Sequence, residues 1–150
     1  MRLVVTGGGT GGHVYPALEI ARTAREAGHE VLYLGSLRGQ EGKLCHENGI
    51  EFVGYSSEPI RSWKKPQGWR AALKILQASG RAKARLIDWR ADAVFSTGGY
   101  SSAPIVKAAR SAGVPYVIHE QNTVPGRTNR LMGRHAAAIA TTFKTGHEHF

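Results

Sequence analysis

The sequence predicts an α/β domain, a Rossmann-like open and mostly parallel sheet with helices on both faces. Three observations carry that expectation. A short apolar run, Leu3-Val4-Val5, feeds the turn Thr6-Gly7-Gly8-Gly9-Thr10-Gly11-Gly12-His13, which opens onto an alanine-rich helical pattern. Strand, glycine turn and helix in that order form the phosphate-binding corner of open α/β sheets. Short apolar runs then alternate with helical periodicities along the whole chain, the mark of β–α repeats and a parallel sheet covered on both sides. Finally, a second glycine turn, Ser96-Thr97-Gly98-Gly99-Tyr100-Ser101-Ser102, and a polar stretch, His119-Glu120-Gln121-Asn122, each follow an expected strand.

Leu3–Val5 is the first expected strand. The first helix is expected from Pro16 to Ala27, with Ala17, Leu18, Ala21 and Ala24 on one face and Pro16 in its first turn, where a missing N–H costs nothing. Gly28 ends it and Glu30–Leu34 follows as the second strand. A short helix over Gln40–Glu47 stops at Asn48-Gly49, and Ile50–Val53 is the third strand. Residues 55 to 68 contain Pro59, Trp63, Pro66 and Gly68 and read as a loop. A helix is expected over Trp69–Trp89, with Leu73, Leu76, Gly80 and Ile87 on one side and its later turns packed on the sheet. Ala93–Phe95 is a strand, Ala103–Ala112 a helix capped by Gly113, and Tyr116–Ile118 the next strand. Pro125-Gly126 turns into a helix over Arg127–His135, and Ala136–Thr141 is the last strand.

A chain of 150 residues is one domain's worth and long enough to bury a core. No run approaches 18 consecutive apolar residues, and Met1-Arg2-Leu3-Val4-Val5 leads straight into the glycine turn, leaving no room for a signal peptide; a cytosolic protein is expected. The single cysteine, Cys45, excludes an intrachain disulfide and a cysteine metal cluster. The net charge is +9, and it is concentrated. Nine basic residues and one acid, Asp88, fall between Arg61 and Arg90, so the window accounts for nearly all of it. So local an asymmetry points to a polyanionic surface, phospholipid or nucleic acid.

The first turn matches neither common nucleotide signature. A P-loop requires Gly-Lys-Ser/Thr, and here His13-Val14-Tyr15 follows the glycines. A dinucleotide fingerprint requires an acid at the end of the second strand, which here runs into Gly35-Ser36. The two glycine turns and the His-Glu-Gln-Asn stretch all follow the carboxyl ends of strands, and in an open α/β sheet those ends face one crevice.

On these segments the chain resembles a known family. Gly8-Gly9-Thr10-Gly11-Gly12-His13-Val14 with Pro16-Ala17, then Gly98-Gly99-Tyr100, then His119-Glu120-Gln121-Asn122 with Pro125-Gly126 and Thr128-Asn129 stand in the order and spacing of the MurG family of peptidoglycan N-acetylglucosaminyltransferases. The likeness runs from Met1 to about Ala140. It implies one half of a GT-B glycosyltransferase, with residues 1–150 as the acceptor-binding domain and a UDP-sugar-binding domain absent from this chain. It implies inverting transfer of N-acetylglucosamine from UDP-N-acetylglucosamine to a lipid-linked muramyl-pentapeptide acceptor, at the cytoplasmic face of the bacterial plasma membrane. The isolated domain is expected to be inactive. The family's Gly-Leu-Arg-Gly near the basic region is replaced here by Glu58-Pro59-Ile60-Arg61-Ser62-Trp63.

Such a transfer needs a base for the acceptor hydroxyl and a holder for the charge on the leaving diphosphate. The carboxylates form no metal-binding triplet, so no metal or other cofactor is expected, and backbone N–H groups and helix dipoles are assigned the electrostatic work. Histidine exchanges a proton near neutrality, which makes His13 the candidate base, with Glu120 as partner or alternative. By resemblance Thr10, Gly11, Gly12 and Asn122 lie on the donor side, and Gly98, Gly99 and Tyr100 are assigned to the acceptor diphosphate. Ile60, Arg61, Trp63, Lys64, Lys65, Trp69 and Arg70 mix aromatic and basic character and are expected to dock on an anionic membrane. Two rival readings are a basic nucleic-acid-binding domain and a non-catalytic membrane-anchoring subunit of a split transferase. The first lacks a helix-turn-helix, zinc or aromatic-platform signature, and no nucleic acid is expected as partner.

Overall fold

The computed structural model describes residues 1–60 and 64–150. Among them β1 (Arg2–Thr6), β2 (Glu30–Ser36), β3 (Glu51–Tyr55), β4 (Ala93–Ser96), β5 (Tyr116–Glu120) and β6 (Ala138–Thr141) alternate with α1 (Gly11–Glu26), α2 (Glu41–Glu47), α3 (Pro66–Asp88), α4 (Ala103–Ala112) and α5 (Arg127–Gly133). A 3-10 turn over Lys144–His149, which no sequence signal announced, follows β6.

The strands lie in the order β3-β2-β1-β4-β5-β6 and every pairing is parallel. Successive residues of a strand point to opposite faces, and both faces of β1 are covered: Val4 and Val5 are each fully buried, one on either side. With Val5 lie Val14, Ala17, Leu18 and Ala21 of α1, Tyr33, and Cys45 of α2. With Val4 lie Ala78, Ala82 and Leu86 of α3, Ile105 and Ala109 of α4, and Ile118. The expected helices on both faces are therefore present. Because the strand order reverses between β1 and β4, the chain leaving each departs to a different face. That divergence opens a crevice at the carboxyl edge of the sheet, and the two glycine turns form its lips.

Three expectations are corrected. The first helix begins at Gly11, five residues before the expected start, with Val14 N–H and His13 N–H both reaching the Thr10 carbonyl. Glycine's low helix propensity made residues 11–13 read as loop, and Pro16 consequently lies inside the helix rather than in its first turn. Strand β5 runs on through His119 and Glu120, which were expected beyond it. In α3, Leu73, Leu76 and Ile87 do not pack on the sheet; they are 58%, 54% and 55% exposed, while Ala71, Ala78, Ala82 and Leu86 turn inward. The helix carries two stripes at helical spacing, one of leucines and one of small residues. The small one wins because α3 packs beside α4, whose Ala108 and Ala109 share its core, and alanines let the two backbones approach.

Candidate functional site

The two glycine turns touch backbone to backbone. Gly8 N–H donates to the Gly98 carbonyl at 3.2 Å. Gly99 lies so close to Gly8 that a Cβ on it would stand 1.9 Å from the Gly8 carbonyl oxygen and 3.2 Å from His13 Cδ2. Its φ of +87° is in the left-handed region that side chains disfavour. Both features demand glycine at 99, so the sequence signal at this position has a steric cause. The Tyr100 ring covers Gly9, its Cε1 standing 2.5 Å from where a Gly9 Cβ would be.

His13, on the first turn of α1, is half-buried between these turns. Its Nδ1 lies 2.8 Å from the Thr97 carbonyl oxygen. A carbonyl only accepts, so Nδ1 carries the hydrogen and Nε2 of the neutral ring is the nitrogen left free to take a proton. Thr97 closes a reciprocal pair by donating from Oγ1 to the His13 carbonyl at 2.7 Å. Thr10 stands at the N-cap with no side-chain capping bond. Gly11 and Gly12 are the first two helical residues, so their N–H groups lack intrahelical acceptors and present the positive end of the α1 dipole at the crevice.

Glu120 is fully buried, and its carboxylate accepts Asn122 N–H at 2.9 Å, Asn122 Nδ2 at 2.9 Å, Gly126 N–H at 3.2 Å and Asn129 Nδ2 at 2.8 Å. Four donors on two oxygens make it the organiser of the turn that leads into α5. Asn122 is exposed beside it, one amide hydrogen engaged with Glu120. His119 points from the sheet face opposite Glu120, stacks on Phe95 with centroids 6.2 Å apart, and is held below the ordinary histidine range by burial, against the opposing pull of Glu120.

Sequence reasoning passed over three residues. Gln121 reaches from the end of β5 to the first turn of α1, donating from Nε2 to the Gly12 and Thr97 carbonyls, each at 3.0 Å. Thr97 is the anchor of His13. Glu41, the first residue of α2, is fully buried behind the glycine turn, and neither carboxylate oxygen has a protein hydrogen-bond partner. Those oxygens occupy the space that side chains at Gly8 and Gly39 would need. The signal for Gln121 was present, since a helical proline orphans the carbonyl four residues before it, but it is visible only once Pro16 is known to lie inside the helix. Cys45, next to Glu41, is buried, and burial with the nearby carboxylate pushes its thiol up to about 12, which leaves it unreactive.

Beneath Tyr100 lies a cavity of about 490 Å³, lined chiefly by Pro59, Ile60, Ile75, Tyr100, Leu131 and Met132. Beside it, α3 presents Trp69, Leu73 and Leu76 as an exposed stripe, with Lys65 and Arg70 exposed at its near end. Lys64 is exposed as well. Lys74 pairs with Glu58 at 2.6 Å, as Arg38 does at 2.7 Å. Arg61 and Trp63 lie outside the described residues. Among the described residues no helix is long and apolar enough to cross a membrane, and no group of three His, Cys, Asp or Glu could hold a metal ion.

Comparison with known proteins places this geometry. The family model for the glycosyltransferase family 28 N-terminal domain matches residues 3–141. The chain is 41% identical over 150 residues to the UDP-N-acetylglucosamine–N-acetylmuramyl-(pentapeptide) pyrophosphoryl-undecaprenol N-acetylglucosamine transferase of Halothermothrix orenii, all of this chain aligning with 40% of that one. The enzyme of the same name from Symbiobacterium thermophilum is 42% identical over 156 residues, with 41% of its length covered. Thus the chain spans about two-fifths of the curated relatives it matches. The crystal structure of Acinetobacter baumannii MurG superposes with a TM-score of 0.86 at 32% identity, over 97% of this chain and 42% of that one. The Streptomyces glycosyltransferase SsfS6, at 22% identity, TM-score 0.61, and coverage of 89% of this chain and 43% of its own, shares the fold.

Proposed function

The chain belongs to the glycosyltransferase family 28 N-terminal domain family, and from that we propose that it supplies the acceptor half of an inverting transferase. The reaction is transfer of N-acetylglucosamine from UDP-N-acetylglucosamine to undecaprenyl-pyrophosphoryl-N-acetylmuramoyl-pentapeptide. The observation that carries this is His13: a histidine between two glycine turns at the switch point, with Nδ1 tied to Thr97 and Nε2 free. In the reaction Nε2 takes the proton of the attacking sugar hydroxyl as the new glycosidic bond forms and the bond to the UDP oxygen breaks. The unpaired N–H groups of Gly11 and Gly12 face the anionic diphosphate side of the donor, and Thr10 and Asn122 border the same side. The turn at Gly98, Gly99 and Tyr100 receives the acceptor diphosphate. Glu120 holds the loop that carries Asn122. A UDP-sugar-binding domain, in cis or in trans, closes the crevice.

The acceptor carries a polyprenyl chain, so the domain works at a lipid surface. Trp69, Leu73 and Leu76 enter the headgroup region from α3, with Ile60 and the basic residues Lys64, Lys65 and Arg70 against anionic lipid. Each such cation contributes about 1 kcal/mol at an anionic surface. The place of action is then the cytoplasmic face of the plasma membrane.

The test is an assay with UDP-N-acetylglucosamine and a soluble analogue of the acceptor. The 150-residue chain alone binds the analogue and turns over nothing. Supplied with a UDP-sugar-binding half, it is active, and His13→Ala lowers turnover roughly 10²–10⁴-fold, the usual worth of a general base. Turnover by the chain alone would remove the two-domain reading, and undiminished turnover by the variant would remove His13 as base.

A further inference from the structure

We infer that Gln121 is a positioning residue for His13, acting as the hydrogen-bond donor that Pro16 cannot be. The inference rests on the reading of His13 as the base, but the structural relation can be tested without catalysis.

In an α-helix the N–H of residue 16 would donate to the carbonyl of residue 12. Pro16 has no N–H and lies inside α1, so the Gly12 carbonyl loses its helical partner in the turn that carries His13. The Gln121 side chain, 109 residues away in sequence, fills that place with Nε2 at 3.0 Å from the Gly12 oxygen. The second Nε2 hydrogen goes to the Thr97 carbonyl, also at 3.0 Å, which is the acceptor of His13 Nδ1–H at 2.8 Å. Two donors thus converge on the two lone pairs of one oxygen, which explains why Gln121 Nε2 and His13 Nδ1 stand 3.3 Å apart without bonding each other. The amide cannot turn over, since its oxygen would then face two carbonyl oxygens. Gln121 Oε1 is buried and has no protein partner, so the side chain is held by its nitrogen alone.

The consequence is mechanical and electronic together. The first turn of α1 is fastened to the ends of β4 and β5, and the Nδ1 side of His13 is closed to water. The ring keeps its hydrogen on Nδ1 and its free nitrogen toward the crevice.

Two substitutions test this in the 150-residue chain. Gln121→Met keeps the size and removes both donors. Losing two hydrogen bonds lowers the folding equilibrium constant about ten-fold. Pro16→Ala restores the backbone N–H, so in that background Gln121→Met loses only the Thr97 bond and costs about three-fold. The Hδ1 resonance of the imidazole supplies a readout that simple destabilisation does not move: the Thr97 carbonyl keeps the ring in its Nδ1–H form in both chains, and Hδ1, which shares that oxygen with Gln121 in the parent, shifts and exchanges faster with water in Gln121→Met. An equal cost in the two backgrounds overturns the pairing with Pro16. An Hδ1 whose shift and exchange are unchanged in Gln121→Met and in Pro16→Ala/Gln121→Met overturns the positioning role. Neither result depends on sugar transfer, so failure of the acceptor assay would be told apart from failure here.

Discussion

Alanine at position 99 tests the contact that builds the crevice. A Cβ there stands 1.9 Å from the Gly8 carbonyl oxygen, a backbone atom with no rotamer to escape into. The turns must separate, which strains or breaks the 3.2 Å bond from Gly8 N–H to the Gly98 carbonyl. Left-handed backbone at a residue with a side chain adds about 1 kcal/mol, the lost bond about 1 kcal/mol, and overpacking about 1–3 kcal/mol, for roughly 3–5 kcal/mol in all. Two controls divide the sum. Gly113 has φ +70° with nothing within 4 Å of its Cβ position, so Gly113→Ala carries the backbone penalty alone, about 1 kcal/mol. Gly80, in the interior of α3 with equally open surroundings, should gain about 1 kcal/mol from alanine through helix propensity. Urea unfolding of the three variants reads the series. At a slope of about 1–3 kcal/mol per molar urea, the midpoint of Gly99→Ala falls roughly 1 M or more below that of Gly113→Ala. Coincident midpoints for these two would refute the contact between the turns.

Tyr33→Phe removes a buried hydroxyl that donates to the Gly7 carbonyl at 2.5 Å; it should cost about 1–2 kcal/mol by the same urea measurement, and an unchanged midpoint would show that the bond does not support the turn. Arg90 closes α3 with φ +53°, so Arg90→Gly should relieve about 1 kcal/mol and raise the melting temperature by about 2–4 °C, and a lower melting temperature would contradict the strain. Burial favours neutral His119 in the folded chain, so the unfolded chain binds the extra proton. Its stabilisation is complete above the ordinary histidine range near pH 6.5 and is lost as pH falls from there toward the lower folded value; His119→Gln should flatten that limb of the stability–pH curve, and an identical curve would assign the dependence elsewhere.

The local grammar of the chain was legible without its structure. Glycine turns after apolar runs, Gly28 and Gly113 at helix ends, and the spacing of Ala17, Leu18, Ala21 and Ala24 act over a few residues, where backbone sterics and helix periodicity decide the outcome. They determined the repeating β–α pattern, the parallel sheet, the two turns at one edge and His13 between them. The MurG likeness resides in those same segments for the same reason, since each is a backbone conformation that tolerates few residue types.

Tertiary structure decided which of two equivalent local answers was taken. The leucine and alanine stripes of α3 both satisfy helical periodicity, and only the closeness of α4 sends the alanines inward and leaves Leu73 and Leu76 exposed. The surroundings of Glu120 came likewise from the fold, where Asn122, Gly126 and Asn129 converge on its carboxylate from the turn beyond β5. Glu41 gave no sign of its burial, because the space it fills belongs to Gly8, 33 positions earlier in the numbering of a different loop. Pro16 is the sharpest instance. By propensity it marks a helix start, yet it lies inside α1, and the Gly12 carbonyl that it leaves without a helical donor is met by Gln121 from the end of β5. Local sequence chooses among backbone shapes; a hydrogen bond across 109 residues is available only after the sheet has set its strand order.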